Sequence, residues 1–308
     1  MPVNPVRSFL RPGLAANGMS ISVVVAAAVA GVGVYSLYLR RTSNNAESKG
    51  TFASFGFTSL RLQSAEMVNH NMRHLRFELP DPNAKSGLSL TSAVLTISFP
   101  NGGWIPVIRP YTPVSELDDK GYIELMVKHY PGGKQSTHMH SLQPGDKLIF
   151  APIKGYAWTP NKHAHVALIA GGAGITPMYQ LSRGILGNPE DRARVTLVWG
   201  VNTDDDIFLR DEFAALERKF PGRFKAVYAV AEPGPGSKHA AGFITAKLLE
   251  GAGLGAAERE KEGGDVKVLV CGPPPMEKAI AGTKGWGGKA NGGVLAELGF
   301  TPDQIHRF

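Results

Sequence analysis

Short runs in which apolar and polar residues alternate follow one another between about Thr51 and Asn161. Alternation with a period of two is typical of strands that bury one face, and clusters of Pro, Gly, Asn and Asp between the runs are typical of turns. The pattern therefore predicts an antiparallel barrel or sandwich, with one short helix at STHMHSL. The predicted strands are SLRLQSAEM, HLRFELP, AVLTISFP, YIELMVKHY and KLIFAPI.

The pattern of apolar and polar residues changes after about His163, where each continuous apolar run is followed by an amphipathic stretch. Apolar runs without alternation are typical of parallel strands buried on both faces, and amphipathic stretches are typical of the helices that cover them. We therefore predict a parallel sheet whose ligands lie beyond the carboxyl ends of its strands. The predicted strands are HVALIA, RVTLVWG, FKAVYAV and DVKVLV.

The amino terminus contains twenty-one residues without a charge, Met19 to Leu39, followed directly by Arg40 and Arg41. That length suits one helix across a bilayer. The residues before this run include arginines but no acidic side chain, as in a mitochondrial presequence. A secretory signal peptide and a buried core helix are the alternative interpretations of the same run.

These patterns divide the chain of 308 residues into three parts. Residues 1–49 contain the targeting segment, the membrane helix at about 19–39 and a short polar linker. Residues 50–161 form the antiparallel domain, and residues 162–308 form the parallel-sheet domain. Each of the two domains is long enough to bury a core of its own.

The single cysteine, Cys271, excludes an internal disulfide framework and any metal site made only of cysteines. His138 and His140 are two positions apart and would point to opposite faces of a strand, so no metal site is predicted. Bound redox chemistry would therefore come from an organic cofactor.

The net charge of +7 is concentrated at the amino terminus. The first 49 residues carry five basic side chains and one acidic side chain, which leaves +3 for the rest of the chain. No arginine-rich stripe with interleaved aromatic residues is present, so nucleic-acid binding is not predicted. A modest basic face suits an acidic protein partner.

The acidic run Asp204, Asp205 and Asp206 is typical of a helix start, and a loop near an adenosine ribose is the alternative.

The motif GGAGITPM follows the first predicted strand of the second domain. Gly171, Gly172 and Gly174 allow a sharp backbone turn, whereas Thr176 and Pro177 are suited to capping and starting a helix. The free amides of such a helix start bind anions, so a dinucleotide pyrophosphate would fit there. An ordinary strand-to-helix turn explains the same residues, because Pro177 stands where the usual fingerprint has its third glycine.

Three further motifs carry residue types that suit a flavin and its phosphates. In RPYTPVS, an arginine fork can clamp a pyrophosphate, a tyrosine ring can lie against an isoalloxazine, and a threonine hydroxyl can bind the ring edge. An exposed strand with a salt-bridged arginine is the alternative. GGKQS places backbone amides and a hydroxyl before a short helix. CGPPPM follows an apolar run, so Cys271 is predicted at the carboxyl end of a strand.

The motifs RPYTPVS, GGKQS, GGAGITPM and CGPPPM occur in that order between about Thr51 and Phe308. With this order the chain resembles the ferredoxin reductase superfamily and in particular its NADH–cytochrome b5 reductases. The resemblance implies an antiparallel, six-stranded FAD-binding barrel followed by a Rossmann-like domain that binds NADH. The stretches WTPNKH and GTKGWGGK and the amino-terminal anchor look most like the mitochondrial type.

The resemblance also implies roles in FAD binding. Arg109 would bind the pyrophosphate, Tyr111 would pack against the flavin, and Thr112 would contact the ring near its reactive nitrogen. Val127 and Lys128 would lie beside the flavin, with Lys128 reachable by NADH. Two other residues that match this site are Pro110 and Ser115. The phosphates would be held by Gly133, Lys134, Gln135 and Ser136.

The nicotinamide site implied by the resemblance lies on the second domain. Thr176 would touch both cofactors, and the Cys271 sulfur would lie near the ring that gives up hydride, with a positioning rather than a nucleophilic role. His70 matches a histidine near the flavin, although a surface histidine with satisfied hydrogen bonds is the alternative. Thr112, Lys128, Cys271 and His70 are thus the candidate catalytic residues. The matching nicotinamide-site residues are Gly171, Gly172, Ala173, Gly174, Pro177, Met178, Cys271, Gly272, Pro273, Pro274 and Met276.

The function implied by the resemblance is hydride transfer from NADH to FAD, followed by transfer of single electrons to cytochrome b5 or a similar haem protein. The chain would be a monomer anchored in the mitochondrial outer membrane, or present in the intermembrane space after processing, with the endoplasmic reticulum membrane as the alternative. Two other functions stay open. One is reduction of another one-electron acceptor or a quinone, and the other is nucleotide binding by an anchored protein without activity.

Overall fold

The computed structural model describes residues 50–261, 263–284 and 290–308. The first domain contains one sheet, whose six strands are β1 (Thr58–Met67), β2 (Met72–Glu78), β3 (Ala93–Ser98), β4 (Val107–Tyr111), β5 (Tyr122–Lys128) and β6 (Lys147–Ile153). Their order is β4-β3-β6-β1-β2-β5, and each neighbouring pair is antiparallel. The prediction of a six-stranded antiparallel domain is confirmed.

The alternation in the sequence of these strands is an alternation in burial. On β5, Ile123 and Leu125 are buried in the core of the sheet, whereas the residues between them are partly exposed. The chain that follows the edge strand β4 returns to the opposite edge, where the Val114 N–H donates to the Glu124 carbonyl at 2.8 Å. The two edges are thus joined at one end, which encloses the apolar side chains of the domain.

A short helix, α1 (Lys134–Ser141), follows β5 and contacts both β4 and β5. His138 and His140 lie on this helix, so the prediction of one short helix at STHMHSL is confirmed, and the strand geometry considered for the two histidines does not apply. His140 Nε2 lies 2.8 Å from the Val127 carbonyl oxygen, which accounts for one of its ring nitrogens. Within the described ranges, no three His, Cys, Asp or Glu side chains come close enough together to hold a metal ion.

The second domain contains a six-stranded sheet in which every neighbouring pair is parallel. In chain order its strands are β7 (His165–Gly171), β8 (Arg194–Val201), β9 (Phe224–Val230), β10 (Ala240–Ala241), β11 (Val266–Cys271) and, after the short pair β12 (Thr283–Lys284) and β13 (Ala290–Asn291), β14 (Ile305–Arg307). Their order in the sheet is β10-β9-β8-β7-β11-β14.

Helices cover both faces of this sheet, as the continuous apolar runs predicted. Val166 and Leu168 of β7 pack in one apolar cluster, whereas Ala167 and Ile169 of the same strand pack in another. All seven residues of β7 are buried for this reason. The helices are α2 (Ile175–Gly187), α3 (Arg210–Lys219), α4 (Ala246–Leu249), α5 (Ala256–Lys261), α6 (Pro274–Ala281) and α7 (Val294–Glu297).

The segment between the two sheets runs from the end of β6 to the start of β7, and the predicted domain boundary at 161/162 falls within it. Trp158 in this segment donates through Nε1 to the Asp191 carboxylate at 2.8 Å. The predicted targeting segment and membrane helix in residues 1–49 lie outside the described residues. None of the helices that the structure describes is long and apolar enough to cross a bilayer.

Candidate active site

The first residue of β4, the segment before it, the turn before α1 and α1 itself line a cavity of about 560 Å³. Helix α1 begins at Lys134, and its first turn contains no acidic side chain, so its free amides favour an anion. A methyl group on Gly133 would lie 2.6 Å from Ser136 Oγ and 3.0 Å from the Tyr130 carbonyl oxygen, so the turn requires glycine. The residues around the cavity include Trp104, Val107, Gly132, Gly133, Lys134 and His138.

Trp104 is a member of this cavity that the sequence patterns did not single out. Its side chain is 97% exposed. An indole in water at the lip of a cavity is a large apolar surface available to a planar ligand. The signal in the sequence was weak, because Trp104 follows a glycine-rich turn and belongs to no motif.

The Arg109 guanidinium lies on β4 and is exposed. One Nη atom donates to the Ile108 carbonyl at 2.7 Å. Nowhere in the part of the chain that the structure describes does a carboxylate form an ion pair with this guanidinium. The alternative of a salt-bridged arginine is therefore not supported, and the remaining N–H donors suit an external anion such as a pyrophosphate.

Tyr111 is the last residue of β4, and the chain continues through Thr112 towards the second domain. The Gln180 side chain of α2 donates to the Pro113 carbonyl at 3.1 Å, so the residue after Thr112 already contacts the second domain. Burial raises the pKa of Tyr111 to about 12, which keeps its hydroxyl neutral. Thr112 is 8% exposed, so its hydroxyl lies at a largely dry junction between the domains. Pro110, between Arg109 and Tyr111, is exposed.

Three residues matched to the FAD site have side chains that are engaged within the first domain. Gln135 donates to Thr96 Oγ1 at 2.8 Å and accepts from Ser98 Oγ at 2.5 Å. Val127 is fully buried in the core, and Ser115 Oγ accepts from a backbone amide of β5 at 3.2 Å. These three side chains therefore stabilise the first domain itself.

The Ser136 hydroxyl stabilises the GGKQS turn itself. It donates to the Gly133 carbonyl at 3.1 Å and accepts from the Tyr130 backbone amide at 3.2 Å. The side chain is 5% exposed. This hydroxyl therefore shapes the anion-binding turn whether or not it also contacts a phosphate.

The two glycine-containing motifs of the second domain meet at the carboxyl edge of the parallel sheet. Gly171 ends β7, and Gly172–Gly174 form a 3-10 turn before α2. A methyl group on Gly174 would lie 2.2 Å from the Cys271 carbonyl oxygen at the end of β11. Trp199 lies on β8, and its Nε1 donates to the Gly172 carbonyl at 3.0 Å, which stabilises this turn. These contacts place both motifs at the edge where parallel sheets bind ligands.

Tyr130 connects the turn before α1 with the turn before α2. Its hydroxyl oxygen lies 3.9 Å from the position that a methyl group on Gly172 would occupy, and it interacts with the Ala173 backbone. Burial raises the pKa of this hydroxyl. The GGKQS turn and the GGAG turn therefore lie on either side of one tyrosine. In the sequence, only the position of Tyr130 next to GGKQS indicates this contact.

His70 and Lys128, two of the candidate catalytic residues, lie together with Asp206 of the second domain. Lys128 Nζ is 2.7 Å from Asp206 Oδ1, and His70 Nε2 is 3.9 Å from the same oxygen. His70 Nε2 also lies 2.8 Å from Asn71 Nδ2, and its side chain is 55% exposed. Lys128 is thus already paired with a carboxylate that sequence reasoning did not connect to it.

Two domain descriptions and several known proteins match the chain. The "Oxidoreductase FAD-binding domain" matches residues 59–157, and the "Oxidoreductase NAD-binding domain" matches residues 168–282. NADH-cytochrome b5 reductase 2 of Pyricularia oryzae is 45% identical over 307 residues, covering 95% of this chain and 91% of that protein. The protein of the same name from Emericella nidulans is 44% identical, covering 93% of this chain and 90% of its own. The chain belongs to the NADH–cytochrome b5 reductase family.

Comparison with solved structures agrees with this family assignment. The cytochrome b5 reductase domain of Ulva prolifera nitrate reductase is similar with a TM-score of 0.70 and 28% sequence identity, covering 85% of this chain and 100% of that one. The antiparallel sheet followed by a parallel nucleotide-binding sheet is therefore the ferredoxin reductase fold. The resemblance that the four motifs indicated is confirmed.

The cofactor and substrate of an NADH–cytochrome b5 reductase, FAD and NADH, fit the residues present. In the first domain, Arg109 has donors without a carboxylate partner, and Gly133 closes a turn that a methyl group would block. In the second domain, Gly174 lets the turn after β7 pack against the end of β11. Each half of the site thus offers cationic or amide donors to a pyrophosphate, with glycine where the backbone must approach closely.

The start of α2 differs from the sequence prediction for this family motif. The helix begins at Ile175, and Gly174 precedes it without a side-chain cap. Thr176 lies inside the helix, and its hydroxyl donates to the Ala173 carbonyl at 3.3 Å, so the prediction that Thr176 caps the helix and Pro177 starts it is wrong. Met178 is fully buried in the apolar core, so its side chain packs within the second domain.

The CGPPPM motif of the reductase family forms the other side of this edge. As predicted, Cys271 ends a strand. Burial raises the pKa of its thiol to about 12, so the sulfur is neutral at physiological pH and suited to positioning rather than to nucleophilic attack. Gly272 donates its amide to the Glu277 carboxylate at 3.2 Å, which ties the motif to α6. Pro273 precedes α6, Pro274 is its first residue, and Met276 lies in its first turn.

The acidic run forms the helical turn that its composition predicted. Asp204–Asp206 is a 3-10 turn, and Thr203 and Asp206 form a reciprocal capping box. Asp204 accepts from the Gly234 amide at 2.9 Å and from Ser237 Oγ at 2.7 Å, which holds the loop after β9. The T-x-x-D spacing was the available signal for the turn, but it did not indicate which other residues Asp206 binds.

Proposed function

We propose that this chain is an NADH-dependent flavoprotein reductase that takes hydride from NADH onto FAD and passes single electrons to cytochrome b5. The observation that carries the proposal is the convergence around Tyr130 of Tyr111 at the end of β4, the turn before α1 and the turn before α2. That arrangement places an FAD-binding half against an NAD-binding half. The acceptor is the one that the relatives' names contain.

Bound FAD supplies the conversion of a two-electron hydride into two single electrons. The chain's own residues bind and orient the reacting groups. Arg109 and the amides at the start of α1 would hold the pyrophosphate of FAD, and the turn before α2 would hold the nicotinamide dinucleotide. The neutral Cys271 sulfur would help to position the nicotinamide, and the buried Thr112 hydroxyl would offer a hydrogen bond in a site that excludes water.

Rapid mixing of the FAD-loaded protein with NADH tests this proposal. The visible flavin absorption is expected to bleach in a single turnover and to recover when oxidised cytochrome b5 is added, with the haem spectrum changing to that of the reduced form. Bleaching requires that both halves of the site are assembled, so it tests the convergence directly. A flavin that NADH leaves unbleached would remove the proposal.

Parallel assays separate the alternative functions. Turnover with cytochrome b5 is to be compared with turnover on ferricyanide and on quinones under the same NADH concentration. Faster turnover with a quinone than with cytochrome b5 would favour another acceptor on the same fold. A colourless protein that takes up no added FAD would favour nucleotide binding without activity.

We also propose that residues 19–39 anchor the chain in the mitochondrial outer membrane. The support is the run of twenty-one uncharged residues, the arginines that follow it and the absence of acidic residues before it. A fluorescent protein fused to the carboxyl terminus reports the location. The full chain is expected to stay with mitochondrial membranes after alkaline extraction, whereas a chain beginning at Gly50 is expected to be extracted and to elute as a monomer.

A matched pair of lysine substitutions sharpens this prediction. Val29→Lys places a charge in the middle of the apolar run, which costs about 3 kcal/mol at the centre of a membrane helix. Asn44→Lys adds the same charge in the polar linker. Val29→Lys should move much of the fusion protein to the extracted fraction, and Asn44→Lys should leave it in the membrane. Equal behaviour of the two variants would count against a spanning helix.

A further inference from the structure

Asp206 belongs to the second domain but binds side chains of the first. Its Oδ1 accepts hydrogen bonds from Lys128 Nζ at 2.7 Å and from Asn71 Nδ2 at 2.8 Å. Its Oδ2 accepts from the Thr203 backbone amide at 3.2 Å and from the Thr203 hydroxyl at 3.3 Å. One carboxylate therefore connects the turn after β8, the turn between β1 and β2, and the end of β5.

The Lys128–Asp206 pair is buried and charged. The Lys128 side chain is 11% exposed, and the Asp206 side chain is 4% exposed. Burial alone would raise the pKa of Asp206, but the hydrogen bonds from Lys128 and Asn71 lower it to about 2. Breaking such a pair leaves an uncompensated buried charge, so the lysine ammonium is held in one place.

The pair lies beside the cleft rather than elsewhere on the domain junction. Lys128 ends β5 shortly before Tyr130, which separates the turns before α1 and α2. Tyr130 interacts electrostatically with Asp206 and also with Cys271, the last residue of β11. Asp206 therefore lies where it can influence how the two halves of the site face each other.

We infer that Asp206 is a positioning residue for hydride transfer, which fixes the Lys128 ammonium and the spacing of the two domains so that nicotinamide and flavin meet in a reacting geometry. This inference rests on the proposed function. Displacement of reacting groups by about 1 Å can lower a rate by about 100-fold, even when the substitution lies away from the reacting atoms. Loss of the carboxylate charge is expected to permit such a displacement.

Single-turnover bleaching by saturating NADH, in the full chain loaded with FAD, tests the inference. Asp206→Asn keeps the shape and removes the charge. The limiting rate of bleaching is expected to fall about 10- to 100-fold while the FAD content stays that of the wild type. The kinetic isotope effect with NADH deuterated at the transferred position is expected to rise, because hydride transfer then limits the observed rate more fully.

A double-mutant cycle tests whether Asp206 acts through Lys128. Lys128→Met should also slow bleaching, and the double variant should be no slower than the slower single variant, because both substitutions break the same pair. Effects that multiply in the double variant would overturn the inference. If Asp206→Asn does not fold, Asp206→Glu keeps the charge and displaces the carboxylate by one methylene, and it is expected to slow bleaching about tenfold.

Asp191→Asn is the matched control. Asp191 is 1% exposed in the same domain and accepts from Trp158 Nε1 at 2.8 Å and from the Ala193 amide at 3.0 Å. Its substitution should lower thermal stability but leave the limiting rate and the isotope effect within about twofold of wild type. The same result for Asp206→Asn would overturn the inference, whereas a wild-type protein that NADH does not bleach would instead remove the proposed function.

Discussion

Replacing Gly174 with alanine is expected to lower kcat/KM for NADH about 10- to 100-fold while FAD stays bound. The added methyl group would lie 2.2 Å from the Cys271 carbonyl oxygen and 2.6 Å from its carbonyl carbon. These are backbone atoms of β11 that cannot move aside as a flexible side chain can, so the turn before α2 must separate from the strand. Overpacking of this kind costs about 1–3 kcal/mol, and each 1.4 kcal/mol corresponds to about a tenfold change in rate.

A glycine-to-alanine substitution at the other end of α2 controls for the effect of the added methyl group itself. Gly187 is the last residue of α2, and among the described residues outside its own helix and chain neighbours no heavy atom lies within 4 Å of the position that its methyl group would occupy. Gly187→Ala should therefore keep the kcat/KM of the wild type. FAD content should be normal in both variants, because Arg109 and the turn before α1, which are proposed to bind the FAD pyrophosphate, belong to the first domain. A Gly174→Ala enzyme with wild-type kcat/KM would show that the turn and the strand end are not held together as described.

Replacing Arg109 with glutamine is expected to weaken FAD binding about 10- to 100-fold. The guanidinium is exposed on β4 and has no carboxylate partner among the described residues, so the substitution would remove the proposed cofactor contacts without leaving a buried charge. Hydrogen bonds to charged groups contribute about 1.5–3 kcal/mol each, which corresponds to the expected range. The measurement is the dissociation constant of FAD for the apoprotein, together with the flavin-to-protein ratio after gel filtration.

Two further arginine variants separate the role of the charge from that of the strand. Arg109→Lys keeps the charge but loses the planar fork, so its FAD affinity should lie between those of the wild type and Arg109→Gln. Arg61→Gln removes an arginine from β1 of the same sheet, where it pairs with Glu78 at 2.7 Å on the surface. That variant should bind FAD normally, since exposed pairs contribute little. Equal affinities for Arg109→Gln and Arg61→Gln would contradict the assignment of Arg109 to the pyrophosphate.

The secondary structure of both domains could be read from local sequence patterns. The alternation in YIELMVK predicts a strand with one buried face, and β5 buries Ile123, Leu125 and Val127 accordingly. The continuous apolar run HVALIA predicts a strand covered on both sides, and β7 is buried at every position. Both predictions succeed because burial repeats with the period of the strand, whatever lies farther along the chain.

The direction of individual side chains in the site came from the structure. Family roles placed Val127 beside the flavin and Gln135 at the phosphates, and the structure adds that the side chain of Val127 lies in the core and that of Gln135 binds hydroxyls of β3. The alternation of β5 already places Val127 on the inner face. A matched motif thus locates a stretch of backbone near the cofactor, whereas the side-chain directions depend on the pleat and on packing.

The start of α2 depended on a contact that the motif does not contain. The residue types of Thr176 and Pro177 favour a helix start at that point, yet the helix begins at Ile175. The 3-10 turn before it packs against the end of β11, and the glycine at position 174 permits that approach. Packing against a distant strand therefore set the helix boundary in place of a capping side chain.

The sequence by itself determined the order and type of the strands and helices, the location of the two glycine turns, and the family to which the chain belongs. Only the tertiary structure decided that Asp206 binds Lys128, which lies 78 residues earlier in the chain. The T-x-x-D pattern predicts the capping bond to Thr203, because that bond is local. The bond to Lys128 depends on how two separately patterned domains dock, and no local periodicity encodes the contacts between them.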